Sequence, residues 1–541
     1  MRCRNSQARS VRGSRSTGLH FIVERRGILE AGRERWGSRT GFLLAAIGSA
    51  VGLGNIWRFG FVCYKNGAGA FLIPYFVALF VGGMSLLLLE YAIGHRFRGS
   101  APVAYRRVGK RWEWAGWTTI NLAMFGILVY YCVVLAWCFN FLLYSFKLSW
   151  GADPGRFFNH DFLQITSGPF EFGSMRWPIV GALFLVWFLN WFITYMGVRR
   201  GIEAACKIFI PLLFVLAIVL VIRGVTLPGA ELGIKWYLTP NFAALKDFRV
   251  WQAAFSQIFF SIGVGFGIMV AYASYMPPKS NLTANSRITA LTNSGFELFM
   301  AFAVFGTLGY MSKMTGLDAS EVVKSGPTLA FVVFPKAISL MPMGQHFFAI
   351  LFFLCLLIAG LTSSISILEG FASGLMDKFN LKRGKAVTVL ASAGFLLGLV
   401  YCTGAGLYWL DIVDHFIMSY AALPIAAIEC IVFGWLLKGA VGGKQSRGSR
   451  LLRDHVNSAS DTKIGVWWVW VIRIVIPAML LTVTGLGIYG IFTEGYEGYP
   501  VSALVFIGLG SVALFLILAF VLSVRPWSGR QGESLDESAG D

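Results

Sequence analysis

Apolar residues in this chain fall in long, nearly continuous runs separated by short polar stretches. Twelve such segments can be drawn: 39–65, 69–94, 113–146, 177–196, 202–222, 249–275, 284–311, 346–376, 386–402, 407–436, 465–492 and 499–524. About 20 apolar residues suffice to cross a bilayer as a helix, so most of these are long enough and several must tilt or project. The runs do not alternate apolar with polar, which speaks against a transmembrane barrel. The pattern therefore predicts an all-α polytopic membrane protein of about twelve transmembrane helices.

Composition sharpens this. Of 541 residues 56% are hydrophobic and only 13% charged, whereas soluble domains carry about 25% charged residues. A soluble enzyme is excluded. The net charge of +19 would suggest nucleic acid in a soluble protein, but here Lys and Arg sit in loops between apolar runs. With the N-terminus inside, inner loops hold 21 Lys and Arg and outer loops 10, and residues 1–40 add 10 more inside. Both termini are thus expected in the cytoplasm. Residues 1–32 read as a basic, disordered cytoplasmic extension without a signal-peptide core. Residues 526–541 read as a polar cytoplasmic tail. Eight cysteines, mostly inside spans, form no CxxC, and six scattered histidines form no HExxH. Neither a disulfide framework nor a metalloenzyme is indicated.

Two segments are unusual. The first contains Gly48-Ser49-Ala50-Val51-Gly52-Leu53-Gly54-Asn55, the sixth Ser261-Ile262-Gly263-Val264-Gly265-Phe266-Gly267. Clustered glycines disfavour helix and admit close backbone approach. Small residues also serve helix–helix seams, so either use fits one segment alone. As a pair, first and sixth, they point to interrupted helices in two related halves, with a midplane site between them. Unwinding frees carbonyls for a cation and aims a helix N-terminus at an anion.

The run from Arg33 to Gly41, GSAVGLGNIWRF at 48–59, YKNGAGAFLIPY at 64–75, QIFFSIGVGFG at 257–267, YASY at 272–275 and AGLTSS at 359–364 resemble the neurotransmitter:sodium symporter family, over residues 33–525. The resemblance implies a transporter domain built as a five-plus-five inverted repeat (about 39–222 and 249–436) with helices 1 and 6 broken. Two additional helices would follow, at about 465–524. It implies a sodium-coupled symporter, with no organic cofactor, that works by alternating access. By matching motif position, one sodium ion would take the carbonyls of Gly48, Val51 and Ala359 and the hydroxyls of Thr362 and Ser363. A second would take Ala50, Asn55, Ser261 and Asn293, with the substrate carboxylate. Ala50, Leu53, Gly54, Ile127, Tyr131, Phe260, Ser261, Gly263, Phe266, Ser363 and Ile367 match the substrate pocket. Arg58 and Asp414 resemble the outer gate; Arg33, Trp36, Tyr275 and Asp377 resemble the inner one.

Gly52 stands where amine-transporting members of this family carry an aspartate. A substrate here is expected to bring its own carboxylate, and a neutral, hydrophobic amino acid fits. Another small amine-containing solute or an osmolyte is the alternative. Gly263 replaces a serine of the family's bacterial leucine transporter, which implies tolerance of larger side chains. Glu297 matches a glutamate of that transporter, whereas chloride-dependent animal members have serine. Chloride-independent transport is the expectation. Glu90, Glu369 and Glu429 also fall in spans, either as proton-linked groups or as bonded structural acids. The outer segment 147–176 has no cysteine and no Asn-x-Ser/Thr site, unlike the animal loop that the resemblance brings to mind, and this suggests a prokaryotic inner membrane.

Overall fold

A computed structural model describes residues 33–324 and 326–528. The extension expected at 1–32 and residues 529–541 of the expected tail lie outside the described residues. The chain is a helical bundle whose spans follow the apolar runs. We label α1 Arg39–Ala50, α2 Leu53–Lys65, α3 Gly69–Phe97, α4 Lys110–Tyr144, α5 Trp177–Tyr195 and α6 Val198–Thr226. Then come α7 Phe248–Ile262 and α8 Ile268–Ser274. They are followed by α9 Leu282–Thr315, the shorter α10 Gly326–Ser339, α11 Gln345–Phe379, α12 Arg383–Cys402 and α13 Gly406–Leu436. The series closes with α14 Ser449–Ala459, α15 Trp467–Ile491 and α16 Val501–Val524.

Among the described residues ten helices are long and apolar enough to cross a membrane, and α1 with α2 makes an eleventh, bent by 54°. The sixth predicted segment is present as α7 and α8. Each is too short to cross alone, and five residues separate them. Both breaks anticipated from the glycines are therefore real, but their causes differ. Gly263, Gly265 and Gly267 have φ of +70°, +83° and +69°, a region other residues reach only at a cost. Gly52 is extended, with φ −131°, so its backbone does not require glycine. A Cβ there would lie 3.1 Å from Ser363 Oγ and 3.2 Å from the Tyr131 hydroxyl. Gly52 is needed for closeness, not for conformation.

The packing has a regular correspondence. The fourth span α5 packs on the third, α4, as the ninth, α12, packs on the eighth, α11. The half-span α8 packs on α3, as the half-span α2 packs on α9. The fifth span α6 packs on α11, as the tenth, α13, packs on α4. In these three pairs of contacts the partners are five spans apart. α15 and α16 lie outside it, against α13 and α4.

The polarity is that of a membrane protein. Phe184, Ile208, Phe506 and Phe520 are at least 60% exposed, while Asn190, Gln257, Asn293, Glu297, Thr362 and Glu369 are wholly buried. In hydrocarbon, polar groups must be satisfied inside the bundle. Some elements lie outside the twelve predicted segments, α10 and α14 among them. The polar loop after α13 folds as a β-hairpin, β1 Lys438–Val441 on β2 Lys444–Arg447, with Lys438 opposite Arg447. Its turn is Gly442-Gly443, both at positive φ, which matches the strand twist. Among the described residues the hairpin holds the only two strands, beside one isolated bridge between Ala68 and Pro240.

The last described residues are anchored. Lys378 is fully buried and its ammonium donates to Glu113 at 2.5 Å and to the Leu522 carbonyl at 2.5 Å. The Trp527 indole donates to the same Glu113 at 3.0 Å.

Candidate functional site

The break between α1 and α2 is the centre of the site. Ala50 ends α1, where carbonyls lose their intrahelical donors, and Leu53 and Gly54 open α2, where amides are free. The Gly52 amide is taken by Asn55 Oδ1 at 2.8 Å.

On one side of this break, the main-chain carbonyls of Gly48 and Val51 meet α11. Ser363 Oγ lies 3.3 Å from the Gly48 oxygen, 3.4 Å from that of Val51 and 3.3 Å from that of Ala359. One hydroxyl proton can serve only one of them. Thr362, fully buried one residue earlier, puts its hydroxyl 3.0 Å from the Ala359 oxygen. The result is a compact set of hard, uncharged oxygens with surplus acceptor capacity, suited to a small cation. All five residues expected at this position are brought together.

On the other side lies a second network. Asn55 Nδ2 donates to Ser261 Oγ and to Asn293 Oδ1, both at 3.0 Å. Asn293 donates to Ser261 at 2.7 Å, and Ser261 donates to Glu297 at 3.2 Å. Glu297 is fully buried and also accepts from Tyr75 at 2.5 Å and from Gln257. Tyr75 and Gln257 were not anticipated. Tyr75 sits in the quoted 64–75 motif and Gln257 opens the 257–267 motif, but each reads as core or cap until the fold sets it against Glu297. Three donors thus converge on this one buried carboxylate.

The pocket residues adjoin the break. The Leu53 amide points at the Tyr131 hydroxyl, 3.5 Å away, and a Cβ on Gly54 would strike the Phe260 ring at 2.5 Å. Ile127 and Phe260 are half-buried; Phe266, Ile367 and Ser363 are nearly closed off. A Cβ built on Gly263 meets nothing within 4 Å, so the space expected at that position exists. Phe260 and Phe266 also border a cavity of about 720 Å³, mouth included, beneath Arg58 and between α7, α13 and α15.

The two ends of the path differ. At the Arg58 end the expected gate partners are not joined by an ion pair in this structure. The Arg58 guanidinium lies over the Phe260 ring, 4.4 Å from its centre, and Asp414 accepts from the Tyr130 hydroxyl. At the other end the contacts are closed. Arg33 pairs with Asp377 at 2.7 Å and donates to Ser274 at 2.8 Å. The guanidinium lies 4.9 Å from the Tyr275 ring centre. Trp36 donates its indole hydrogen to the Tyr272 carbonyl at 2.9 Å. Tyr275 donates to Glu369 at 2.6 Å, and Glu369 is held by Arg383 at 2.5 Å. Ser274, Glu369 and Arg383 extend the expected network. Glu369 is thus an ion-paired structural acid, and Glu90 accepts from the Gly265 amide at 2.6 Å, bracing the second break.

Asp377→Asn removes the charge from the Arg33 pair and is expected to loosen this end. Hydrogen–deuterium exchange should accelerate at least tenfold over residues 33–38 and 272–276. Unchanged exchange there would show that Asp377 does not hold the end shut.

A bundle with two broken helices, buried oxygen clusters at the breaks and one closed end has the architecture of a solute carrier. The sequence comparisons specify which kind. The profile of the sodium:neurotransmitter symporter family matches residues 33–153 and 151–527. An uncharacterized sodium-dependent transporter of Methanocaldococcus jannaschii is 46% identical over 493 residues, covering 91% of this chain and 97% of that protein. A sodium- and chloride-dependent taurine transporter of dog is 32% identical over 489 residues, covering 83% and 77%. A sodium- and chloride-dependent GABA transporter 2 of mouse is 32% identical over 455 residues, covering 76% and 74%. The chain belongs to the sodium:neurotransmitter symporter family. It is a multi-pass, sodium-dependent transporter of a small solute, not an enzyme.

Proposed function

We propose that the protein imports a small zwitterionic amino acid with a neutral, hydrophobic side chain, driven by two sodium ions. The observation that carries this reading is Gly52. The pocket presents no acid there, and a Cβ would already crowd Ser363 and Tyr131, at 3.1 and 3.2 Å. The positive charge of the substrate then has only main-chain carbonyls near Ala50, Phe260 and Ser261 to meet. Its carboxylate has the Leu53 and Gly54 amides, Tyr131 and a sodium ion.

In this reading one sodium sits among Gly48, Val51, Ala359, Thr362 and Ser363. The other sits among Ala50, Asn55, Ser261, Asn293 and the substrate carboxylate. Sharing that carboxylate makes each ligand favour the other. The Arg33 end faces the cytoplasm, both termini are cytoplasmic, and the membrane is a prokaryotic inner membrane. The closed Arg33 end and unpaired Arg58 support an outward-facing state. Sodium and substrate would bring Arg58 and Asp414 together, and release of sodium would free the Arg33 network. Glu297 supplies a fixed negative charge beside the sodium–substrate site, which supports chloride-independent transport even though the dog and mouse relatives carry chloride in their names. Gly263 supports tolerance of bulky side chains.

Those two relatives support a second reading within the same site: a taurine- or GABA-like solute, whose acid and amine lie further apart. Uptake into proteoliposomes separates the two. Radiolabelled leucine, phenylalanine, tryptophan, taurine and GABA are each supplied with an inward sodium gradient or with potassium instead. Saturable, sodium-dependent accumulation of the first three is the expected result. Accumulation of only taurine or GABA replaces the substrate assignment, and uptake indifferent to sodium overturns the assignment of both cation sites.

A further inference from the structure

The β-hairpin after α13 sets cations against each other. Its register puts Lys438 opposite Arg447 and Ala440 opposite Gln445. Alternate residues of a strand share one face, and these four are all exposed. The other face turns to α14, since a Cβ on Gly439 would lie 3.0 Å from the Leu451 side chain. The outward face therefore carries Lys438 and Arg447 directly across from one another, with Cβ atoms roughly 5 Å apart. Lys444 at the turn and Arg450 at the start of α14 are exposed beside them. Among the described residues no ion pair joins Lys438, Lys444, Arg447 or Arg450 to an acid. The acid of α14, Asp454, is taken by Arg453 at 2.7 Å.

Like charges directly opposite destabilise a strand pair, and a two-stranded hairpin is marginal to begin with. A counter-charge on this face would relieve both. Residues 529–541 hold Glu533, Asp536, Glu537 and Asp541 against one cation, Arg530. The point from which they start is fixed close to the hairpin's root. The Ser528 amide donates to the Lys378 carbonyl at 2.9 Å, and the Trp527 ring lies 5.5 Å from the Arg106 guanidinium. Arg106 follows Tyr105, whose ring centre is 4.8 Å from that of Phe433, at the end of α13. From the other side, Arg96 reaches the Ala440 carbonyl of β1 at 3.4 Å. One short helix, Ala101–Val108, stands between Trp527 and the hairpin's root. A helix is about 10 Å across, and the eight residues from Ser528 to Asp536 can span about 27 Å.

We infer that the outward face of the hairpin is a docking surface for this chain's own acidic segment, 533–537, whose carboxylates meet Lys438, Arg447 and Lys444. The contact would tie the end of α11 to the loop that joins α13 to α15. It does not depend on which solute is transported.

The test is zero-length carbodiimide coupling of the purified full-length protein in a maltoside detergent, read by peptide mass spectrometry. The reagent joins a carboxylate to an amine only where the two touch, and residues 1–32 and 529–541 contain no lysine. Glu533, Asp536 or Glu537 should couple to Lys438 or Lys444 at least fivefold more than to Lys382 or Lys385, which are exposed near the end of α11. R447E leaves both amines in place and should cut this coupling at least fivefold. In nanodiscs the coupling should persist in phosphatidylcholine and in phosphatidylglycerol alike. Coupling spread evenly over the four lysines would mean a tail with no dock. No coupling at all, as when the arginines of 1–32 hold the acids instead, would place the tail elsewhere. Coupling kept in phosphatidylcholine but lost in phosphatidylglycerol would assign the face to lipid headgroups. Each of these results overturns the proposal, and the wild-type coupling decides it even if R447E does not fold.

Discussion

Glu297→Ser is expected to make transport depend on chloride. In the native protein the Glu297 carboxylate accepts from Tyr75, Ser261 and Gln257 with no exposure to solvent. Replacing it by serine leaves these donors aimed at a small, uncharged space. Each orphaned donor costs about 1–3 kcal/mol, and the site beside Asn55 and Asn293 loses its fixed negative charge. Chloride fits that space by charge and by donor count, because convergent N–H and O–H groups form an anion hole. Uptake by the variant should therefore fall at least tenfold when chloride is replaced by gluconate, and should recover most of the native rate in chloride. The native protein should be indifferent to the exchange. Equal rates for the variant in both anions would remove Glu297 from its assigned role. Loss of native uptake in gluconate would refute chloride independence.

The second large effect is expected at Gly52. Gly52→Asp places a carboxylate beside Ser363 and Tyr131, where the substrate's own carboxylate is proposed to lie. Two like charges about 4 Å apart at an effective dielectric of about 20 repel by about 4 kcal/mol, close to a thousandfold in affinity. Sodium-dependent uptake of a neutral amino acid should be lost. Gly52→Ala separates sterics from charge. Its Cβ meets Ser363 Oγ and Tyr131 at 3.1 and 3.2 Å, contacts that a shift of a few tenths of an ångström relieves, so the loss should be about tenfold or less. Equal loss in the two variants would mean that closeness alone matters and that the pocket is not built for a carboxylate. Retained uptake by Gly52→Asp would move the substrate's acid elsewhere.

Much of this was legible along the chain. The apolar runs located every crossing, because a bilayer demands about twenty apolar residues wherever it is crossed. Glycine density located both breaks. The β-hairpin after α13 was missed because it lies in a polar loop, where hydrophobic periodicity carries no signal. Glu369 could be read from sequence either as proton-linked or as structural. Its partner Arg383 is 14 residues away, but Tyr275 is 94 away, and no local pattern connects them.

What the sequence determined by itself, then, was the solvent of each segment and the places where a helix fails. Both follow from local chemistry: transfer of side chains into hydrocarbon, and the backbone freedom of glycine. Only the tertiary structure decided which polar groups meet. Ser363 finds the Gly48 carbonyl 315 positions away, and Tyr75 finds Glu297 across 222. It also decided that Gly52 is required for contact where Gly263 is required for conformation. Such facts depend on distances between remote segments, which packing sets and a one-dimensional pattern does not contain.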